Sequence, residues 1–452
     1  MNFLEEAIKK EKELIQKTRK LLQIKSVLDE NTATSEAPFG LGLKDALEYM
    51  LDLGRAEGFN VLNLDGYAGH IEFGEGEETI GILCHLDVVP EGEGWTFPPY
   101  SAEVKDGKIY ARGAIDDKGP TMAAFFALKI LKDNAIKLKK RVRIILGTDE
   151  ETSWRCVSHY FKHEIMPEVG FAPDAEFPLI YGEKGIMGID FERDFLEETI
   201  VHFDSGERYN IVPEKAVAIV KELKKQKYMD YLAQNSLRGE VKKVEDLFHL
   251  TMYGKSAHAM QPEKGVNAAS KLAVFLSKSI TNPVINFIND YFDEDTRLIK
   301  AGLNFRDPEM KDLTCNLALV KMDEKKQKMG INLRYPVRWD KEKFLKALKE
   351  KASLYGLKMT VKQDSVPHYV NPNDDLVKTL LESYVRISND NETKPKTIGG
   401  GTYARAMKKA VAFGAMFPNR EDVVHQVNEH IFIEDLIKST AIFADAIYNL
   451  GK

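Results

Sequence analysis

His85 and Asp87 close an apolar run, GILCHLDVVP, and stand two residues apart. In an extended strand such residues face the same side. A carboxylate behind an imidazole fixes its tautomer and raises its basicity, a common support for a metal-ligating histidine. Further along come Asp116-Asp117 in GAIDDKGP, Glu150-Glu151 in GTDEE, Asp174 in FAPDAEFP and His425 in VVHQVNEH. One neutral imidazole plus carboxylates on each of two ions is the donor mix that a pair of divalent metals takes. Two ions about 3.5–4 Å apart, bridged by a carboxylate, can share and acidify one water. A further carboxylate must then accept its proton. Neighbouring glutamates suit that division, since adjacent side chains at a strand end diverge. Singly, each pair has a plainer reading: Glu150-Glu151 as a solvated acidic turn, Asp116-Asp117 as an N-cap.

The elements around these residues explain why they would converge. Strands are predicted over 61–64, 70–73, 79–84 and 141–147, with helices over 41–55, 121–132 and 154–162 between or beside them. Asp106-Gly107 marks a hairpin turn, and Gly119-Pro120 opens a helix with proline at a tolerated position. Strands alternating with helices indicate a mostly parallel, helix-covered sheet. In such sheets ligands gather at the carboxyl ends of the strands, and each of the clusters above falls at a predicted strand end or in the loop after it. Beyond Gly182-Glu183-Lys184-Gly185 the pattern changes. The stretches 186–195 and 199–203 alternate polar and apolar, as antiparallel strands with one wet face do. A polar run over 221–243 reads as helix and loop. Strands over 247–253, 329–335 and 358–363 follow, with helices over 265–279, 283–291 and 341–354. The α/β pattern returns with a helix over 376–387, a strand over 410–417 and a long C-terminal helix from about 433. The expected fold is an α/β catalytic domain with a mostly parallel sheet, 1–185 and 372–452, interrupted by an inserted α+β lid domain, 186–371.

Composition narrows the class. The chain has 452 residues, 43% hydrophobic and 30% charged, with a net charge of −6. Mild acidity speaks against a nucleic-acid footprint, which needs a concentrated basic face. Three cysteines without C-x-x-C spacing read as reduced core thiols. The N-terminal 22 residues form a charged amphipathic helix rather than a signal peptide. No run approaches the roughly 18 apolar residues of a membrane span. A cytoplasmic protein with neither membrane nor nucleic-acid partners is expected. His159 and His163 stand i, i+4 but lack the glutamate that a metalloprotease helix places after its first histidine, and read as a surface pair. His430 reads as part of a helix start.

HLDVVP, ARGAIDDKGP, GTDEE, FAPDAEFP, GEKG, GKSAHAMQPEKGVNA and HQVNE, in this order and spacing, resemble the co-catalytic zinc metallopeptidases that include aminoacylase, carboxypeptidase G and peptidase T. The likeness spans essentially the whole chain and is nearest to the dipeptidase V group of bacterial, carnosinase-type (Xaa-His) dipeptidases. It implies two divalent ions per chain, zinc foremost, with manganese or cobalt also compatible. His85 and Asp174 would hold one ion, Glu151 and His425 the other, with Asp116 bridging and joined to Asp117 by a cis peptide. Asp87 would orient His85 and Glu150 would be the general base. In the lid, His258 would stabilise the oxyanion, while Asn210 and Arg334 grip substrate. Gly399, Gly400, Gly401 and Thr402, within GGGTYAR, would offer donors to the substrate carboxylate. Aspartate at 174 favours a free amino terminus. The resemblance thus implies a dipeptidase acting as a monomer on small peptides. The alternative on the same scaffold is an N-acyl-amino-acid deacylase or succinyl-diaminopimelate desuccinylase. A magnesium phosphatase would lack an evident nucleophile and phosphate loop, and a non-catalytic metal binder would need a missing site residue.

Overall fold

The computed structural model describes residues 1–194, 199–323 and 325–452. They form two compact units, one of Met1–Tyr181, Val370–Lys396 and Thr402–Lys452, the other of Gly182–Tyr369 and Thr397–Gly401. The sequence-based borders at 185 and 372 thus lie a few residues late, and most of the glycine stretch falls in the second unit.

The first unit is built on a mixed sheet. Its strands run in the order Asn60–Leu64, Ala68–Phe73, Arg141–Gly147, Thr79–His85, Val169–Ala172, Ala410–Ala412. The last four are mutually parallel, and the first two pair antiparallel at the edge. Thr79–His85 lies in the middle and is buried at every position, as a parallel strand covered on both faces must be. Its Ile80, Ile82 and Cys84 join the core formed by helices Lys118–Asp133 and Ile433–Gly451, with Phe125, Phe126, Ile442 and Phe443. Gly147, at the end of its strand, has no room for a side chain: a Cβ there would meet the Tyr403 hydroxyl at 2.0 Å.

Two local departures have clear causes. The N-terminal stretch forms two helices, Phe3–Lys9 and Glu11–Leu22, because Lys10 at φ −98°, ψ 2° interrupts the ladder. The strand expected over 410–417 stops at Ala412, and a separate pair of residues, Ala415–Met416, pairs in parallel with Ala175–Glu176. Lys118, at the start of its helix, is fully enclosed, and its ammonium donates to the Ile24 carbonyl at 2.7 Å.

The second unit is an eight-stranded antiparallel sheet, ordered Arg238–Val244, Leu247–Tyr253, Lys215–Val220, Ile200–Ser205, Thr314–Met322, Lys326–Tyr335, Gly185–Asp194, Lys358–Ser365. Helices Ala268–Ser277 and Pro283–Tyr291 cover a core that includes Met187, Ile189, Phe203, Leu250 and Ile331. Strands Lys215–Val220 and Thr314–Met322 are additions to the sequence reading; the run over 221–243 holds the expected helix, Lys225–Gln234, but ends in strand Arg238–Val244 rather than loop. Phe195, the last residue of the expected strand over 186–195, lies outside the described residues.

Candidate active site

The parallel strands of the first unit end where the acidic and imidazole groups stand. His85 is the last residue of its strand, and the strand Arg141–Gly147 leads directly into Asp149, Glu150 and Glu151. Val169–Ala172 leads into Asp174. Asp116 precedes helix Lys118–Asp133, through an Asp116–Asp117 peptide that is cis.

One carboxylate spans two imidazoles. Asp116 Oδ1 lies 2.9 Å from His85 Nε2, and its Oδ2 lies 2.9 Å from His425 Nε2. His425 Nε2 also lies 3.0 Å from Glu151 Oε1, and His85 Nε2 lies 3.7 Å from Asp174 Oδ1. Donor atoms of His85, Glu150 and Asp174 fall within 4.8 Å of one another, as do those of His85, Asp116 and Glu151. His85 Nδ1 is 3.0 Å from the Asp87 main-chain oxygen, which assigns the ring proton to Nδ1 and leaves Nε2 as a donor of electrons. That Nε2 is buried without hydrogen-bond geometry to any group. A buried, electron-donating nitrogen facing carboxylates suits a cation between them.

The electrostatics of the cluster agree. Burial, then the charge of Asp174, push the Glu150 carboxyl well above the usual range. Burial also raises Glu151 and Asp174. Burial opposes ionisation of Asp116, but its imidazole neighbours, His425 and then His85, hold its carboxyl below the usual range. His425 is raised to about 10 by its hydrogen bonds to Asp116 and then Glu151. Carboxylates confined this closely repel one another, and divalent cations relieve that repulsion. The donor set of two imidazoles and oxygen ligands fits zinc, manganese or cobalt.

Asp87 faces both the histidine and the glutamate pair. The strand stops at His85, so Asp87 lies just beyond it, with its side chain still beside the imidazole. Its Oδ1 is 3.5 Å from His85 Nδ1, farther than its own carbonyl. The carboxylate also accepts the amides of Glu150 at 3.0 Å and Glu151 at 2.9 Å. Asp87 therefore fixes the backbone of the glutamate pair, and its main chain fixes the histidine.

Other residues inside the same motifs support the site in ways the sequence did not assign. Asp149 takes a bidentate Arg155 guanidinium at 2.8 Å on each oxygen, and accepts the Arg155 amide at 2.9 Å. Asp117 accepts the His85 amide at 3.1 Å. Glu429 accepts the amides of Ile115 at 3.0 Å and Asp116 at 3.3 Å. Acidic residues beside a ligand, each facing backbone amides, are the signal that sequence alone left ambiguous. The rejected pair stays on the surface: His159 bonds Asp65 at 2.8 Å and stacks on Tyr67.

The second unit holds the remaining candidates except Thr402. Asn210 and His258 lie on paired segments: Ile211 bridges to His258, and the Ala259 amide donates to the Asn210 carbonyl at 2.8 Å. The Met260 amide donates to His258 Nδ1 at 3.1 Å, so the neutral ring carries its proton on Nε2. Burial and then Arg334 lower the pKa of His258, favouring that neutral form. Arg334 is held by Asn332 Oδ1 at 2.8 Å and by the Gly399 carbonyl at 3.2 Å. Gly400 and Gly401 belong to the same unit as Gly399, and Thr402 to the first. The Thr402 hydroxyl caps the turn Tyr403–Ala406.

Residues 81–449 match the profile of Peptidase family M20/M25/M40. The chain belongs to this family. M20 membership makes it a hydrolase of a metallopeptidase family. Among its relatives is the Bacillus subtilis (strain 168) protein named "Putative dipeptidase YtjP", 45% identical over the full length of both chains. The M20 fold is also that of Vibrio alginolyticus aminoacylhistidine dipeptidase, with a TM-score of 0.58 at 13% identity over 97% of this chain and 96% of that one. Human carnosine dipeptidase 1 superposes with a TM-score of 0.56 at 15% identity over 99% of each chain. No helix among the described residues is long and apolar enough to cross a membrane.

Proposed function

We propose that the protein is a metal-dependent dipeptidase of the dipeptidase V type, hydrolysing dipeptides with a free amino terminus. The observation that carries this reading is Asp116, whose two oxygens each lie 2.9 Å from a different imidazole, the placement a bridging ligand requires. The name of its B. subtilis relative supports the substrate class.

His85 and Asp174 would hold one divalent ion, Glu151 and His425 a second, with Asp116 shared. Bound ions of this kind supply Lewis acidity and lower the pKa of a water to near neutrality. Glu150, kept from ionising easily by burial and by Asp174, takes the proton of the attacking water and passes it to the leaving amine. Asp87 holds the Glu150 and Glu151 amides, and so keeps base and ligand on separate headings. His258, neutral with its proton on Nε2, donates to the developing oxyanion, a contribution of about 3–4 kcal/mol for one well-placed donor. Arg334, with Asn210 and residues 399–402, would receive the substrate's carboxylate end. Asp174 favours the free amine.

The test compares a dipeptide, its N-acetyl form and longer peptides, on protein stripped by a chelator and then resupplied with zinc, manganese or cobalt. Hydrolysis of the free dipeptide should vanish on stripping and return with metal, and longer peptides should be poor substrates. Faster cleavage of the acetylated form would move the assignment to the deacylases, and full activity without metal would remove it altogether.

A further inference from the structure

Arg112 and Glu429 form a buried ion pair that the proposed reaction does not use. Arg112 is 2% exposed and Glu429 fully buried, with Nη1 and Oε2 only 2.6 Å apart. Burying such a pair is costly unless further hydrogen bonds satisfy both partners. Those further bonds go to backbone, at or beside the ligands Asp116 and His425 and in the loop at Pro90 and Glu91, while Arg112 Nε has no partner among the described residues. Glu429 Oε1 accepts the amides of Ile115 and Asp116. Arg112 Nη1 donates to the Gln426 carbonyl at 3.3 Å, and Nη2 to the carbonyls of His425 at 3.3 Å and of Pro90 and Glu91 at 3.4 Å.

The His425 loop needs such a holder. His425 stands at φ +62° and Asn428 at φ +61°, a left-handed region that side-chain-bearing residues enter at a cost. His425 is also half exposed, its side chain 46% accessible, so packing alone does not fix it. A planar guanidinium can bridge several carbonyls at once, where an ammonium offers one point charge.

We propose that Arg112 and Glu429 are positioning residues for one metal position, the one formed by His425, Glu151 and Asp116. Arg112 sets the His425 loop, Glu429 sets the Asp116 backbone, and their ion pair fixes the two relative to each other. The position formed by His85 and Asp174 shares Asp116 but otherwise hangs on the strand ends, so it depends on the pair less. This rests on the assignment of the metal ligands above.

The experiment measures metal stoichiometry and affinity by zinc competition with a chromophoric chelator, for the whole chain and for Arg112→Lys, Glu429→Gln and His425→Ala. Two bound zinc ions in the unaltered protein, and loss of one in His425→Ala, would establish the ligand assignment. Arg112→Lys keeps the charge and loses the fork. It should then weaken one zinc by about 10–100-fold, the scale for residues that orient ligands, and leave the other within about twofold. Excess zinc should recover much of the lost kcat with KM little changed. Glu429→Gln loosens the Asp116 backbone that both positions share, so it should weaken the His425 zinc by a similar factor and the other zinc by less; it decides the matter if Arg112→Lys does not fold. If His425→Ala loses one ion while either folded variant retains both at full affinity, the positioning role is wrong and the ligand assignment stands. If His425→Ala retains both ions, the ligand assignment itself fails.

Discussion

Glu150 and Glu151 are neighbours with different environments, and the difference is testable. Glu151 lies 3.0 Å from His425, whereas no hydrogen bond restrains the Glu150 side chain among the described residues. Glu150→Gln preserves shape and removes the base, so metal content should be unchanged while kcat falls at least about 100-fold. Metal analysis beside steady-state kinetics checks both halves, and loss of metal would make Glu150 a ligand. Asp87→Ala should act differently. It leaves two amides in a buried site without their charged acceptor, at about 2–3 kcal/mol of stability, and should depress kcat through misplacement of both glutamates. Urea unfolding and kinetics on the same sample separate the two losses. At this scale the sequence was legible as a set of donors, because residue types and motif order are local. The second task of Asp87 was not, because the glutamate amides that its carboxylate also accepts lie more than 60 residues away, at the end of another strand.

At the scale of elements, the parallel centre of the first sheet was readable from buried β-branched runs, and so was the clustering at its strand ends. The break at Lys10 and the early stop at Ala412 were not, since helical periodicity continues across one and apolar composition across the other. One contact between elements sets a pH response. His70, on strand Ala68–Phe73, bonds the Tyr160 hydroxyl of helix Arg155–His163 at 2.7 Å. Burial, and then Arg143, lower His70 to about 4 from an ordinary value of 6.5. The unfolded chain therefore takes up a proton below about pH 6.5 that the folded chain refuses until about pH 4. Stability from this group is fully present above pH 6.5 and is lost as pH falls towards 4, by up to about 3 kcal/mol. Denaturant unfolding at pH 7.5, 5.5 and 4.5 should show a smaller decline for His70→Gln than for the unaltered protein. Equal slopes would mean that His70 titrates normally.

For the whole molecule, composition and alternating patterns announced two domains, but the border came late because Gly182–Glu183 extends an apolar strand without a change of pattern. Residues 397–401 could not be assigned to the second unit from sequence, since that membership is decided by contacts across more than 60 residues, such as Arg334 with Gly399. The second unit is large, with an eight-stranded sheet and several helices, which accords with an enzyme needing no second copy. We predict activity in a single chain. Inactive His258→Ala and Glu150→Gln proteins should remain inactive when mixed, and sedimentation should give a monomer at assay concentration. Recovered activity in the mixture would mean that His258 serves a partner chain.

The three cysteines carry a consequence for following the protein in motion. Cys84 and Cys156 are buried in the first unit, and Cys315 in the second. Burial raises all three thiols, Cys156 to about 12, so the reactive thiolate is scarce while the fold is closed. Alkylation must wait for local opening, and its rate counts those openings. The chain thus carries native reporters in each half, read separately by peptide mass after timed labelling. Matching rates at Cys84 and Cys315 in rising denaturant would show the halves unfolding as one event. Divergent rates would show which half gives way first, and added zinc should then slow Cys84 far more than Cys315.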